Sequence, residues 1–225
     1  MRPTYETASA GVRGAYGGVT EFATGLTDDD LMRPSRCRGW AVADVLFHLL
    51  CDAQRALVAL ATPAAGPPDV DHVSYWASFQ PGRPGAAGHA WWVRRSAAAF
   101  ERPSGIVGVW RETAPAAARA AALANPDGYV ATQGHVLAVP DFLATLVTEA
   151  VVHHLDMAVD MPGAKPPSRE ALGVALCTMD GLLDGGRPGL WTPEDYLLKA
   201  TGRVELDERD RAALGDVADR FPLLG

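Results

Sequence analysis

PDFLATLVTEAVVHHLDMAVD, residues 140–160, is the stretch that decides the fold. Pro140 stands where a first helical turn tolerates a missing N–H, and Pro162 and Gly163 interrupt the pattern, so 141–160 reads as one helix. Its apolar residues do not keep to one side. Phe142, Leu146 and Ala150 take one flank, and Ala144, Val151 and Leu155 take another. A helix that is apolar nearly all round belongs at the centre of a bundle.

Glu149 and His153 break that apolar surface. Four residues apart on a helix, they lie roughly 40° apart around the axis and face one small volume. An ionised carboxylate inside apolar surroundings is strongly disfavoured unless a cation compensates it. The pair is therefore either half of a metal site or a plain helical ion pair. A third donor would come from the inward face of another helix, and His48 qualifies. It sits beside Val45 and Leu49 at the edge of the apolar arc Val42, Val45, Leu46, Leu49, Ala53 and Leu60 of a helix over 41–60. Alone, His48 reads as a satisfied core histidine. Taken together, two imidazoles and one carboxylate form the donor set of an open zinc site with a fourth position for water or a substrate atom. Nickel, cobalt, manganese and iron suit the same donors.

Asp156, three residues after His153, is placed to receive the second ring proton of a ligand histidine, or else is a surface carboxylate. Asp52, four residues after His48, is an outer carboxylate or a substitute ligand. His154 points roughly 100° away from His153 around the helix. His72, His89 and His135 are expected at solvated positions, and His89, Trp91 and Trp92 read as packing.

Outward from these two helices, Val12, Tyr16, Val19, Phe22, Ala23 and Leu26 mark a first amphipathic helix, closed by Asp28, Asp29, Asp30 and Pro34. Residues 62–88, rich in Pro and Gly, are too long for a connector. They read either as a functional loop over a pocket, with Tyr75 and Trp76 as its apolar contacts, or as a disordered surface excursion. Helices follow over 89–101 and 105–124, then a short extended piece over 129–139. Ser168 and Glu170 open a helix that runs to Gly185 and Gly186, and Asp207 opens another that ends before Pro222. The expected fold is mainly all-α: a four-helix bundle over 1–165, with the extended segment before its fourth helix. A small helical extension over 166–225 packs on it.

The chain has 225 residues, 48% of them hydrophobic, which suffices for one sizeable core. A net charge of -7 with scattered Lys and Arg offers no basic stripe for phosphates, so nucleic acid is not an expected partner. The first residues lack the apolar core of a signal peptide, and no apolar run spans a bilayer, so the expected location is the cytoplasm. Cys37, Cys51 and Cys177 contain no CxxC pair and support neither a disulfide framework nor a thiolate zinc site; Cys51 reads as a small buried residue.

Two segments then carry a resemblance. SRCRGWAVADVLFHLL, residues 35–50, resembles the C-x-G-W-x-V-x-D-x-x-x-H signature of the mycothiol-dependent maleylpyruvate isomerase N-terminal family, within the DinB-like superfamily. Glu149, His153 and Asp156 match that family's E-x-x-x-H-x-x-D signature, about a hundred residues later. The resemblance covers roughly residues 5–165. It implies a four-helix bundle whose divalent metal, commonly zinc, is held by His48, Glu149 and His153. It also implies a low-molecular-weight thiol cosubstrate, mycothiol in actinobacteria, whose sulfur takes the open position. A thiolate there would add to an electron-poor double bond and permit isomerisation, or attack an electrophilic carbon and stay attached.

Leu146 stands where relatives often carry Arg, and residues 166–225 offer no counterpart of the isomerase's larger C-terminal domain with its catalytic Arg. Arg203 is the candidate there for anion binding, Trp76 for contact with the cosubstrate, and maleylpyruvate is not the expected substrate. The expected partners are the thiol and an electrophile, and the chain is a monomer or homodimer. A hydrolase that activates water on the metal and a non-catalytic binding module are the alternatives.

Overall fold

The computed structural model describes residues 2–79 and 86–224. In chain order it forms α1 (Tyr5–Thr24), the single turn α2 (Asp28–Leu31), α3 (Val42–Ala61), α4 (Ala86–Ala97), α5 (Ser104–Leu123) and α6 (Val139–Met157). α1 packs on α5 and α6, and α3 packs on the same two, so four helices close a ring around one core, as expected of a mainly α, DinB-like bundle. α6 is buried along almost its whole length, which is what its unsegregated apolar residues require. The core is closed by Trp110 against Tyr16, ring centroids 5.3 Å apart and edge to face, and the buried indole N–H donates to Thr20 Oγ1 at 2.9 Å. Gly18 lets α1 approach α6: a Cβ there would lie 3.3 Å from the ring of His154. No helix among the described residues is long and apolar enough to cross a membrane.

The extended piece is a hairpin that leads straight into α6. β1 (Pro63–Ala64), β2 (Tyr129–Thr132) and β3 (His135–Ala138) pair antiparallel in that order, with Val130 opposite Leu137. Gln133 and Gly134 turn the chain with φ of 49° and 83°, the two positive values of a type I′ turn. Asn-Gly would have announced that turn in the sequence; Gln-Gly does not.

Several boundaries depart from the sequence reading. Asp28, Asp29 and Asp30 do not close α1 but form α2, because Thr27 Oγ1 accepts from the Asp30 N–H while the Asp30 carboxylate takes the Thr27 N–H. In the 62–88 stretch, Tyr75 and Trp76 on a 3-10 turn (Ser74–Phe79) are buried, so this part is packed on the bundle; 80–85 lie outside the described residues. After α7 (Arg169–Leu183) comes an unexpected α8 (Pro193–Ala200), opened by a Thr192/Asp195 capping box, and α9 (Glu208–Leu214) passes into a 3-10 turn (Gly215–Arg220). α7 lies across α1 and α6, and α8 against α6 and α7.

His72 is not solvated. It is buried and its Nδ1 lies 3.1 Å from Asp141 Oδ1, while Arg2 Nε donates to the same carboxylate at 3.0 Å. Asp141 sits in the first turn of α6, where the helix end also favours negative charge. Burial raises the Asp141 pKa, but hydrogen bonds from His72 and Arg2 prevail and hold it below the usual 3.8. A depressed folded pKa means that this stabilisation is complete above pH about 4 and is lost as pH falls through the lower folded value. Asp141→Asn is therefore expected to lower stability by about 1–3 kcal/mol at neutral pH. Urea unfolding followed from pH 7 downward checks this: the gap between parent and variant should narrow in acid, and a constant gap would contradict it.

Candidate metal centre

α3 and α6 are neighbours in the ring, and the polar exceptions on their inward faces meet. His153 Nε2 lies 3.0 Å and His48 Nε2 3.6 Å from Glu149 Oε2, and the two imidazole centroids are 4.9 Å apart. One donor atom from each residue falls within 4.8 Å of the others. Bonds of about 2.0–2.1 Å around a tetrahedral zinc place donors about 3.3 Å apart, so this set fits one divalent ion with small adjustments. Burial raises the Glu149 pKa, but hydrogen bonds and charge from His153 and His48 outweigh it and hold the carboxyl well below its usual range. An ion entering the site would meet a carboxylate that is already ionised, and its imidazole donors would have to be neutral.

Asp156 is wholly buried and holds the other side of His153. Its Oδ2 lies 2.9 Å from His153 Nδ1, which leaves Nε2 facing Glu149. Arg203 grips the same carboxylate with both prongs, Nε to Oδ1 at 3.2 Å and Nη2 to Oδ2 at 3.1 Å, and the Cys37 thiol donates to Oδ2 at 3.1 Å. Burial pushes the Asp156 pKa up, but His153 and Arg203 bring it down to about 2. Burial lowers the His153 pKa, and its hydrogen bonds with Asp156, Cys37 and Glu149 lift it well above 6.5. Cys37, His153 and Asp156 also form a compact donor group, yet Arg203 beside it opposes a cation there. That group positions His153.

Sequence reasoning passed over Cys37. It lies in the turn before α3, where Pro34 bridges Ala41 and the Arg36 N–H donates to the Asp156 carbonyl at 3.1 Å, folding the turn over α6. Its place in the C-x-G-W signature was the available signal. Arg203, expected as an anion-binding group, is engaged by Asp156 and by the Thr201 carbonyl at 2.9 Å. Asp52 stands beside the cluster, Oδ2 3.6 Å from His48 Nε2 and Oδ1 2.7 Å from Arg55 Nη1, and burial raises its pKa. His154 turns toward α1, away from the cluster; burial pushes its pKa down to about 4.

A cavity of about 350 Å³ opens beside the donors. Trp40, Trp76, Val152 and Leu224 form much of its wall, with Arg203 and Cys37 on the Asp156 side. His89, expected to be solvated, is exposed yet lies at this cavity, its ring 5.6 Å from His48 and stacked on Trp92 at 5.9 Å. His135, half-buried, pairs with Asp69 at 2.9 Å, remote from the cluster.

The family model for the mycothiol maleylpyruvate isomerase N-terminal domain matches residues 12–158. No curated protein and no solved structure matches the chain.

Proposed function

Because the chain belongs to the mycothiol maleylpyruvate isomerase N-terminal domain family, a mycothiol-related, metal-binding family, we propose that it is a metal-dependent enzyme with a thiol cosubstrate. The thiol is mycothiol, and the reaction is S-transfer to, or isomerisation of, an electrophilic small molecule. The observation that carries this reading is the meeting of His48, Glu149 and His153 beside a cavity, so that the donors are not enclosed by protein. A divalent ion there, zinc with nickel as the substitute, favours loss of a coordinating thiol's proton and supplies a nucleophile at neutral pH.

The chain's own residues do the rest. His48 and His153 give neutral nitrogen donors, and Glu149 gives the charge that balances half of the ion's. Asp156 accepts a hydrogen bond from the His153 Nδ1–H and fixes the tautomer, while Arg203 and Cys37 hold Asp156 in place. Asp52 is an outer carboxylate behind His48. Trp40 and Trp76 bound the space the thiol enters and keep water from it. In this reading residues 1–165 supply the donors, and 166–225 supply Arg203 and part of the cavity wall. The cytoplasm, where such thiols are kept reduced, is the proposed location.

Cobalt(II)-loaded protein tests the proposal. Adding mycothiol is expected to produce a sulfur-to-cobalt charge-transfer band that saturates. No band at saturating thiol, with ester substrates turned over in its absence, would replace this reading with a hydrolase.

A further inference from the structure

Arg203 is the single lysine or arginine among the described residues that line the cavity, and Asp156 binds it bidentately. A guanidinium held in that way has its charge matched and its carboxylate-shaped face taken. Glu149 and a thiolate together would balance the charge of a divalent ion, and Asp52 is matched by Arg55 at 2.7 Å. No lysine or arginine among the described wall residues is left to pair with a carboxylate on an incoming substrate. Desolvating an unpaired carboxylate there is strongly unfavourable. The wall does offer flat apolar surface: Trp40 half-buried, Trp76 and Val152 buried, and Leu224 from the C-terminal segment.

Resting on the thiol-transfer reading of this site, we propose that the electrophile it accepts is uncharged and flat, an aromatic or conjugated ring held against Trp40 and Trp76, and that anionic electrophiles are rejected. Arg203 is a positioning residue for Asp156 and takes no part in substrate binding. In the transfer step the thiolate sulfur bonds to the electrophilic ring carbon, and the bond to the leaving halide breaks with its electron pair going to the halide. No redox partner is required, and the thiol proton passes to solvent when the sulfur binds.

The test compares chlorodinitrobenzotrifluoride with chlorodinitrobenzoate, a neutral and an anionic version of one activated ring. Each is measured twice with the zinc-loaded full chain in the presence of mycothiol: by turnover, divided by its uncatalysed rate, and by equilibrium quenching of tryptophan fluorescence with the analogue of each ring that lacks the chloride and so does not react. The neutral ring is expected to win by about tenfold or more in both. Trp76→Ala should weaken its quenching affinity while zinc content stays at one. Arg203→Met should not selectively weaken the benzoate. Equal or tighter binding of the benzoate, or binding of neither ring, overturns the proposal. If the neutral ring binds preferentially but no sulfur-to-cobalt band forms with mycothiol, the cavity assignment stands and the thiol-enzyme reading fails.

Discussion

His153→Ala is expected to abolish stoichiometric zinc binding and, with it, thiol-dependent turnover. The ring supplies one donor of three, and its Nε2 lies 3.0 Å from the carboxylate oxygen that would share the ion. Groups that only orient a ligand are worth about 10–100-fold in metal affinity, so loss of a donor should exceed about a hundredfold. The fold should survive, because Asp156 keeps its hydrogen bonds to Arg203 and Cys37 when the imidazole is gone. The check is a competition titration against a zinc chelator alongside far-ultraviolet circular dichroism. Unchanged zinc affinity in a folded His153→Ala protein would remove His153 from the donor set. His48→Ala and Glu149→Gln should behave alike, Glu149→Gln most clearly, since it also removes the carboxylate's charge.

Asp156→Asn is expected to act on both stability and metal affinity, and the two effects can be separated. The neutral amide leaves the mostly buried Arg203 guanidinium without its counter-charge. Breaking a buried pair from one side costs about 3–5 kcal/mol. The amide also holds the His153 tautomer less well, for a further loss of about 10–100-fold in zinc affinity. Adding Arg203→Met removes the unmatched charge, so the double variant should recover much of the stability and none of the affinity. Urea midpoints and zinc titrations on the parent and the two variants decide this. Recovery of both properties together would mean that Asp156 serves only the fold.

The central helix and the three donors were legible in the sequence because both rest on local geometry. α6 carries its apolar residues all round, so it had to be central, and the four-residue spacing of Glu149 and His153 put both on one side of it. His48 was legible as a polar residue at the edge of an apolar arc, and Asp156 as a carboxylate one turn beyond His153. What stayed hidden depends on how distant segments fold back. Cys37 reaches Asp156 only because the turn before α3 lies over α6, and Arg203 only because α8 packs against α6 and returns the chain to the site. Periodicity carries no information about either contact.

Two misplaced elements and one unforeseen neighbour of the site have the same origin. His72 had no apolar pattern around it and read as solvated, yet it is buried against Asp141 across 69 residues of chain. His89 stands at the end of a long Pro- and Gly-rich stretch, and only the packing of α4 on α3 brings it to the cavity. α8 did carry a local sign, Thr192 followed by Pro193 and Asp195, overshadowed by the Gly and Pro residues just before it.

X-ray absorption at the zinc edge, on the metal-loaded full chain with and without mycothiol, reads the ion's donors and the arrival of the sulfur together. Without thiol, two imidazole nitrogens, one carboxylate oxygen and one exchangeable light atom are expected at about 2.0–2.1 Å; with thiol, that light atom gives way to one sulfur at about 2.3 Å. A first shell without imidazole scattering, or one that mycothiol leaves unchanged, would contradict this expectation.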